Sequence, residues 1–386
     1  MKIKKTIEYL IKSNRMIQFF YKHFLSFLMK VISLFIRVDE NLYFFTGHSG
    51  GINDSPKVIY DRLLENKDPK TKIIWGIDKK KHKCLESVNT VQIDTFKYFI
   101  YTMKAKYWVA SVNIERGLNY KKKKQIYLNT WHGIPIKTIG NDAPGRKDFN
   151  FSSIDYLIVS GEYERKIYQR AFKIPSNHFL NAGLPRNEEL YKELSIEEKN
   201  AIKKKLSISL DKKVILYAPT WRDSDNKGKS YDIAPPITIK KWKTKLEKDY
   251  IILMRLHPYT EKIMNITFDD FFRDVSQNEN LNDLIKIANI LITDYSSIAF
   301  DFSITGKPVM FFAYDFDEYN KSRGLYINLS EECPLSYSTD EDVLLNKLID
   351  FQSQQLSNES INFYSKYIQY HGNSIDMCLA VLKKNN

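Results

Sequence analysis

Cysteine is nearly absent from this 386-residue chain: Cys84, Cys333 and Cys378 are the three, and they lie far apart. An odd and scattered set supports neither a disulfide framework nor a cysteine-rich zinc site, and a reducing cytosol is its natural home. Glycine (14) and proline (12) are also few, which excludes collagen-like or linker-dominated architecture. No apolar run is long enough for a charge-free membrane span, because Lys22 and Lys30 interrupt the one candidate stretch. No small-residue cleavage site follows that stretch, so it fits a signal peptide badly. Several motifs are missing. There is no G-x-G-x-x-G, no H-E-x-x-H and no paired Cys/His cluster. Residues 140–146 have P-loop glycine spacing, but Arg146 stands where lysine is required. No zinc finger or RNA-binding aromatic signature appears, so nucleic acid is not an expected partner.

Acidic residues are outnumbered 46 to 59, leaving a formal charge of +13 and an expectation of an anionic partner. The excess is concentrated. Residues 1–38 hold Lys2, Lys4, Lys5, Lys12, Arg15, Lys22, Lys30 and Arg37 against Glu8 alone, among many large apolar side chains. This pattern reads as a basic amphipathic helical arm lying on an anionic membrane surface, its lysines reaching the headgroups. A helical arm packed on the body or on a second subunit is the plainer alternative.

With 43% apolar and 14% aromatic residues the chain can build the cores of two domains. From residue 41, short β-rich runs alternate with helical stretches. Strands are expected at residues 42–46, 72–77, 90–93, 107–111, 126–130 and 156–160, with helices at 56–66 and 162–172. After the turn-rich segment 181–187 a second series begins, with a helix at 195–206 and strands at 214–218, 250–256, 290–293 and 308–312. The fold class expected is α/β, two Rossmann-like domains facing across a cleft. The divisions are a helical arm (1–40), a front domain (41–185), a rear domain (186–358) and a closing helix (359–386). Ligands of such sheets bind outside the carboxyl ends of the strands.

Five segments at strand ends carry candidate chemistry. His132, in N-T-W-H-G-I-P-I-K (129–137), follows a strand and precedes a tight turn, so its imidazole can take a proton from an alcohol near neutral pH. Arg255 and His257, in R-L-H-P, alternate along the chain and can hold a phosphate together. In I-T-D-Y-S-S (292–297) a strand runs into Ser296 and Ser297 at a helix start, where free amides favour an anion. Thr220, Arg222 and Asp223 follow the first rear strand, and Arg323 lies in S-R-G-L-Y. Ordinary N-capping by the serines and a solvated salt-bridged loop around Arg323 are the plainer readings.

Taken in order, W-H-G-x-P-x-K, G-L-P-R-N, Y-A-P-T-W-R-D, R-L-H-P, I-T-D-Y-S-S-x-x-F-D, K-P-V-x-F-F-x-Y-D and R-G-x-Y make residues 41–375 resemble the CDP-glycerol glycerophosphotransferase family of teichoic acid and capsule synthesis. The resemblance implies a glycosyltransferase-B-like fold without a cofactor, with the donor on the rear domain and the acceptor approaching from the front. His132 and His257 match the family's two histidines. Asp294, Ser296 and Ser297 match its donor-side motif, and Arg323 matches its R-G arginine. Thr220, Arg222 and Arg255 join the donor side, and Lys137 and Asp142 the acceptor side. The implied reaction transfers glycerol phosphate from CDP-glycerol to a hydroxyl of a polyprenyl-diphosphate-linked saccharide or polymer, releasing CMP. It would occur at the cytoplasmic face of the membrane, with residues 1–38 as a peripheral anchor and a homo-oligomer possible. CDP-ribitol, or a nucleotide sugar on the same fold, is the alternative donor.

Overall fold

The computed structural model describes residues 15–65, 68–82, 87–220, 222, 235–256, 266–277, 280–350 and 353–383. His257, Asp223, Cys84 and residues 1–14 lie outside the described residues. The front lobe is a seven-stranded sheet: β1 (Asp39–Thr46), β2 (Lys72–Ile77), β3 (Thr90–Gln92), β4 (Ala105–Ala110), β5 (Ile126–Asn129), β6 (Tyr156–Val159) and β7 (Phe179–Asn181). Their spatial order is β3-β2-β1-β4-β5-β6-β7. The rear lobe has β8 (Lys213–Ala218), β9 (Tyr250–Met254), β10 (Phe272–Asp274), β11 (Ile290–Thr293), β12 (Val309–Phe312) and β13 (Tyr337–Ser338), in the order β10-β9-β8-β11-β12-β13. Every named strand pair is parallel. Both sheets therefore share the doubly wound order that reverses direction at its first strand.

Composition explains the parallel arrangement. I-Y-L-N, I-L-I-T and V-M-F-F are buried at every position, as strands covered on both faces must be. Helices supply the cover. Ile196–Lys205 opens with a reciprocal capping box between Ser195 and Glu198. Glu162–Phe172 ends at Lys173, which adopts the left-handed conformation (φ 58°).

The expected closing helix is two helices with different loyalties. Ser353–Tyr367 packs on the rear lobe, where Phe363 and Tyr367 join the core. The chain then crosses back, with the amides of Gln369 and Tyr370 donating to the Ser160 carbonyl at 2.7 and 2.9 Å. Ser374–Lys383 buries Cys378 and Leu382 in the front core beside Phe45 and Trp75. The front lobe is thus built from both ends of the described chain.

The helix Arg15–Leu34 leans on the front lobe. Met29 and Ile32 pack against its core, Lys22 pairs with Asp148 at 2.9 Å, and the Asn119 amide donates to Ser26 Oγ at 3.1 Å. Its other face carries Met16, Phe20, Phe24, Phe27 and Leu34, all more than half exposed. Among the described residues no helix is long and apolar enough to cross a membrane.

Candidate active site

At the end of β5 the chain turns sharply. Asn129 Oδ1 accepts from the Trp131 amide at 2.8 Å, Trp131 has φ 50°, and Gly133 has φ 141°. A side chain at Gly133 would be strained by that backbone, and its Cβ would overlap Ser297 of the rear lobe. The two lobes thus touch at the residue after His132. Ile134 and Ile136, one and three residues further on, are buried within the rear-lobe core beside Leu216 and Tyr295. Tyr163 Oη donates to the Pro135 carbonyl at 2.7 Å and locks the segment from the front side.

This turn fixes His132. Its Nδ1 lies 2.8 Å from the Ser111 carbonyl, at the end of β4. A carbonyl only accepts, so Nδ1 carries the proton and Nε2 keeps its lone pair. Trp131 flanks the imidazole at 4.2 Å between ring centroids and His48 at 4.7 Å. Burial first, then the neighbouring His48, push its pKa down to about 3, against the Ser111 hydrogen bond. The ring is therefore neutral across the physiological range.

The rear side of the site is the reversal point between β8 and β11. Thr220 follows β8, and its amide donates to both oxygens of Asp294 at 2.9 and 3.1 Å. Thr220 Oγ1 is buried with no hydrogen-bond partner among the described residues, and so is Ser111 Oγ across the cleft. Ser296 and Ser297 precede the helix Ile298–Ser303. Ser297 is its N-cap without a side-chain cap bond, and the Ile298 amide reaches Ser296 Oγ at 3.5 Å. Arg255 follows β9 half-buried, its amide donating to the Tyr217 carbonyl at 2.9 Å, and burial lowers its pKa.

The side chains of Arg222 and Asp142 are engaged within the protein. Arg222 does not present its guanidinium to the cleft. Nε and Nη2 grip Asp315 at 2.5 and 2.9 Å, and Nη1 meets Asp294 at 2.9 Å and the Thr220 carbonyl at 2.5 Å. The rings of Tyr295, Tyr314 and Tyr319 surround it at 4.8 to 5.3 Å. Arg222 and Asp294 form an internal ion network that shapes the strand ends, because a buried carboxylate must be matched by a cation. Lys137, Asp142 and Arg323 lie on the seam between lobes. Lys137 bridges Leu325 in antiparallel fashion, and Thr138 Oγ1 donates to the Arg323 carbonyl at 2.5 Å. The Asp142 carboxylate takes Arg170 at 2.7 Å and Tyr326 Oη at 2.7 Å, so it is spent on the seam rather than left for an acceptor.

One inter-lobe ion bridge is not assigned by the sequence reading. Arg186, in G-L-P-R-N, bridges Asp54 of the front lobe at 2.6 Å and Asp301 of the rear lobe at 2.8 Å. Asn187 Nδ2 adds a bond to Asp301 at 2.5 Å, and Asn282 Nδ2 reaches the Arg186 carbonyl at 2.6 Å. His48, in the glycine-rich turn 47–51 after β1, was missed as well. Its signal was the one that revealed His132: a histidine and glycines directly after a strand. Among the described residues no group of three or more His, Cys, Asp or Glu side chains is arranged to hold a metal ion.

A neutral, oriented imidazole one residue from the point where the front lobe meets Ser297 can accept a proton from an alcohol. Comparison with known proteins shows the family. The family model described as CDP-Glycerol:Poly(glycerophosphate) glycerophosphotransferase matches residues 28–377. The chain belongs to the CDP-glycerol glycerophosphotransferase family. Within this family of transferases, a teichoic acid glycerol-phosphate transferase of Staphylococcus aureus is 35% identical over 348 residues, covering 84% of this chain and 88% of the relative. A teichoic acid poly(glycerol phosphate) polymerase of Bacillus spizizenii is 34% identical over 346 residues, 82% and 87% of the two chains. The solved wall teichoic acid polymerase TagF superposes with a TM-score of 0.79 at 32% identity, over 90% of each chain, and a substituted variant of it has been solved after soaking with CDPG. The present chain is accordingly a CDP-glycerol glycerophosphotransferase-family enzyme.

Proposed function

We propose that this enzyme transfers glycerol phosphate from CDP-glycerol to the terminal hydroxyl of a lipid-linked acceptor in teichoic acid synthesis, at the surface of a membrane. The acceptor oxygen attacks the glycerol-bearing phosphorus, a new P–O bond forms, and the bond to the CMP oxygen breaks. The hydroxyl proton passes to His132 Nε2. The CMP phosphate leaves among Thr220, Ser296, Ser297 and Arg255 on the rear lobe. Phosphoryl transfer demands mainly positioning and electrostatics, which this arrangement supplies. Arg222 and Asp294 hold the rear strand ends in place, and Arg186 holds the lobes at working distance. The exposed apolar face of helix Arg15–Leu34, with the basic residues of the arm, supports contact with an anionic membrane.

The observation that supports this reading is the close approach of Gly133, the residue after His132, to Ser297 of the rear lobe. The test supplies CDP-glycerol or CDP-ribitol separately with a prenyl-diphosphate saccharide acceptor and follows CMP release and product mass. CMP release with the glycerol donor, and a loss of about 10²–10⁴-fold in His132→Ala with donor binding retained, is the expected result. Near-normal turnover in His132→Ala would remove the base assignment. CMP release with CDP-ribitol alone would replace the donor.

A further inference from the structure

A cavity of about 1400 Å³ lies between helix Arg15–Leu34 and the front lobe, and the site described above does not use it. It exceeds an ordinary small-molecule pocket, roughly 300–1,000 Å³. Lys22, Lys30, Arg116, Arg146, Lys147 and Lys173 line it, against Asp94, Glu115 and Asp148. The acids are already engaged. Asp148 is shared by Lys22 and Arg146, Asp94 takes Nε and Nη2 of Arg116, and Glu115 accepts from the amides of Tyr120 and Lys121. Lys30 on the arm and Lys173 at the end of Glu162–Phe172 have no carboxylate partner among the described residues. Two cations from separate elements therefore face one groove.

The groove has an apolar exit. Phe19 and Phe27 line it and are also 58% and 67% exposed, so its wall runs directly into the outer face of the arm. It also has a floor near the chemistry. Phe151 lines it and lies 6.3 Å, centroid to centroid, from Trp131, the residue whose ring packs on His132. Positive charge inside, apolar surface at the mouth and a catalytic histidine behind the floor describe the needs of an anionic amphiphile.

We infer that this groove binds the diphosphate head of the acceptor, with its apolar tail leaving along Phe19 and Phe27. The assignment rests on the lipid-linked acceptor proposed above. The arm is then a wall of the acceptor site, and the site is complete only with helix Arg15–Leu34 in place.

The test uses the full chain and the double variant Lys30→Glu/Lys173→Glu. Transfer is measured to a detergent-solubilised prenyl-diphosphate saccharide and to the same saccharide on a short alkyl chain without the diphosphate. The expected result is a rise of about tenfold or more in KM for the diphosphate acceptor. The KM for the alkyl saccharide and for the donor should stay near the parent's. No rise, or an equal rise for both acceptors, overturns the assignment. Calorimetric titration with farnesyl diphosphate gives a readout independent of turnover. The parent should bind it, the variant about tenfold more weakly. Inorganic diphosphate binding as tightly as farnesyl diphosphate would remove the apolar half of the proposal. Failure of the parent to transfer to either acceptor would refute the transferase reading, and the titration would still decide the groove.

Discussion

Replacing Arg186 by alanine tests the inter-lobe bridge directly. The guanidinium is 13% exposed between Asp54 and Asp301, whose side chains are 7% and 4% exposed. Removing one member of a buried ion pair costs about 3–5 kcal/mol, because the remaining charge loses its partner in a poorly solvated place. Asp301 keeps Asn187, and Asp54 keeps the Ser55 amide at 2.7 Å, so the lower end, about 3 kcal/mol, is the expectation. Arg186 and His48 outweigh burial and hold the Asp54 carboxyl below its ordinary range. In the parent that depressed carboxyl stabilises the fold above the unfolded carboxylate pKa and loses the contribution as pH falls through its folded value. Without Arg186 burial dominates, the pKa of Asp54 rises, and the variant loses more stability at pH 8 than at pH 5. Urea midpoints at both pH values, with CMP release alongside, measure this. An unfolding free energy within about 1 kcal/mol of the parent's at pH 8, with no pH dependence in the difference, would refute the reasoning. Arg186→Lys should fall between, because an ammonium cannot span both carboxylates in a fork.

Gly133→Ala places a Cβ on Ser297 at φ 141°, so turnover should fall at least about tenfold, and adding Ser297→Gly should recover part of the loss. Burial pushes the pKa of Glu164 from 4.5 up to about 7, opposed by the Ser160 amide and the Tyr168 hydroxyl. The folded chain therefore holds a proton that the unfolded chain has released, and stability should fall on the order of 3 kcal/mol as pH rises from 4.5 to 7. Glu164→Gln should lose that slope in urea midpoints taken across the same range, and an unchanged slope would assign it elsewhere. Phe20→Ser/Phe24→Ser should reduce co-sedimentation with anionic vesicles several-fold while leaving donor binding intact, and equal sedimentation would count against membrane contact through this face.

The sequence by itself determined the two-lobed α/β plan. Continuous apolar runs such as V-I-L-Y-A and V-M-F-F have nowhere to go except a sheet covered on both faces, and their spacing leaves room for crossover helices. It also located His132, because a histidine between a strand and a Gly-Pro turn sits at a strand's carboxyl end in any such fold. Strands β7, β10 and β13 were not legible, since two or three residues show no alternation and form only by pairing with a neighbour. The split of the final helix was equally hidden, for the break at residues 368–373 is set by bonds to Ser160 in the other lobe. Tertiary structure alone decided which polar residues face the cleft. Arg222 and Asp142 carry the residue types of a ligand site, yet carboxylates from distant strands and loops claim the guanidinium of the first, and Arg170 and Tyr326 claim the carboxylate of the second. Pairing of buried charge depends on which segments meet in space, and that is fixed only when the two sheets close on each other around Arg186.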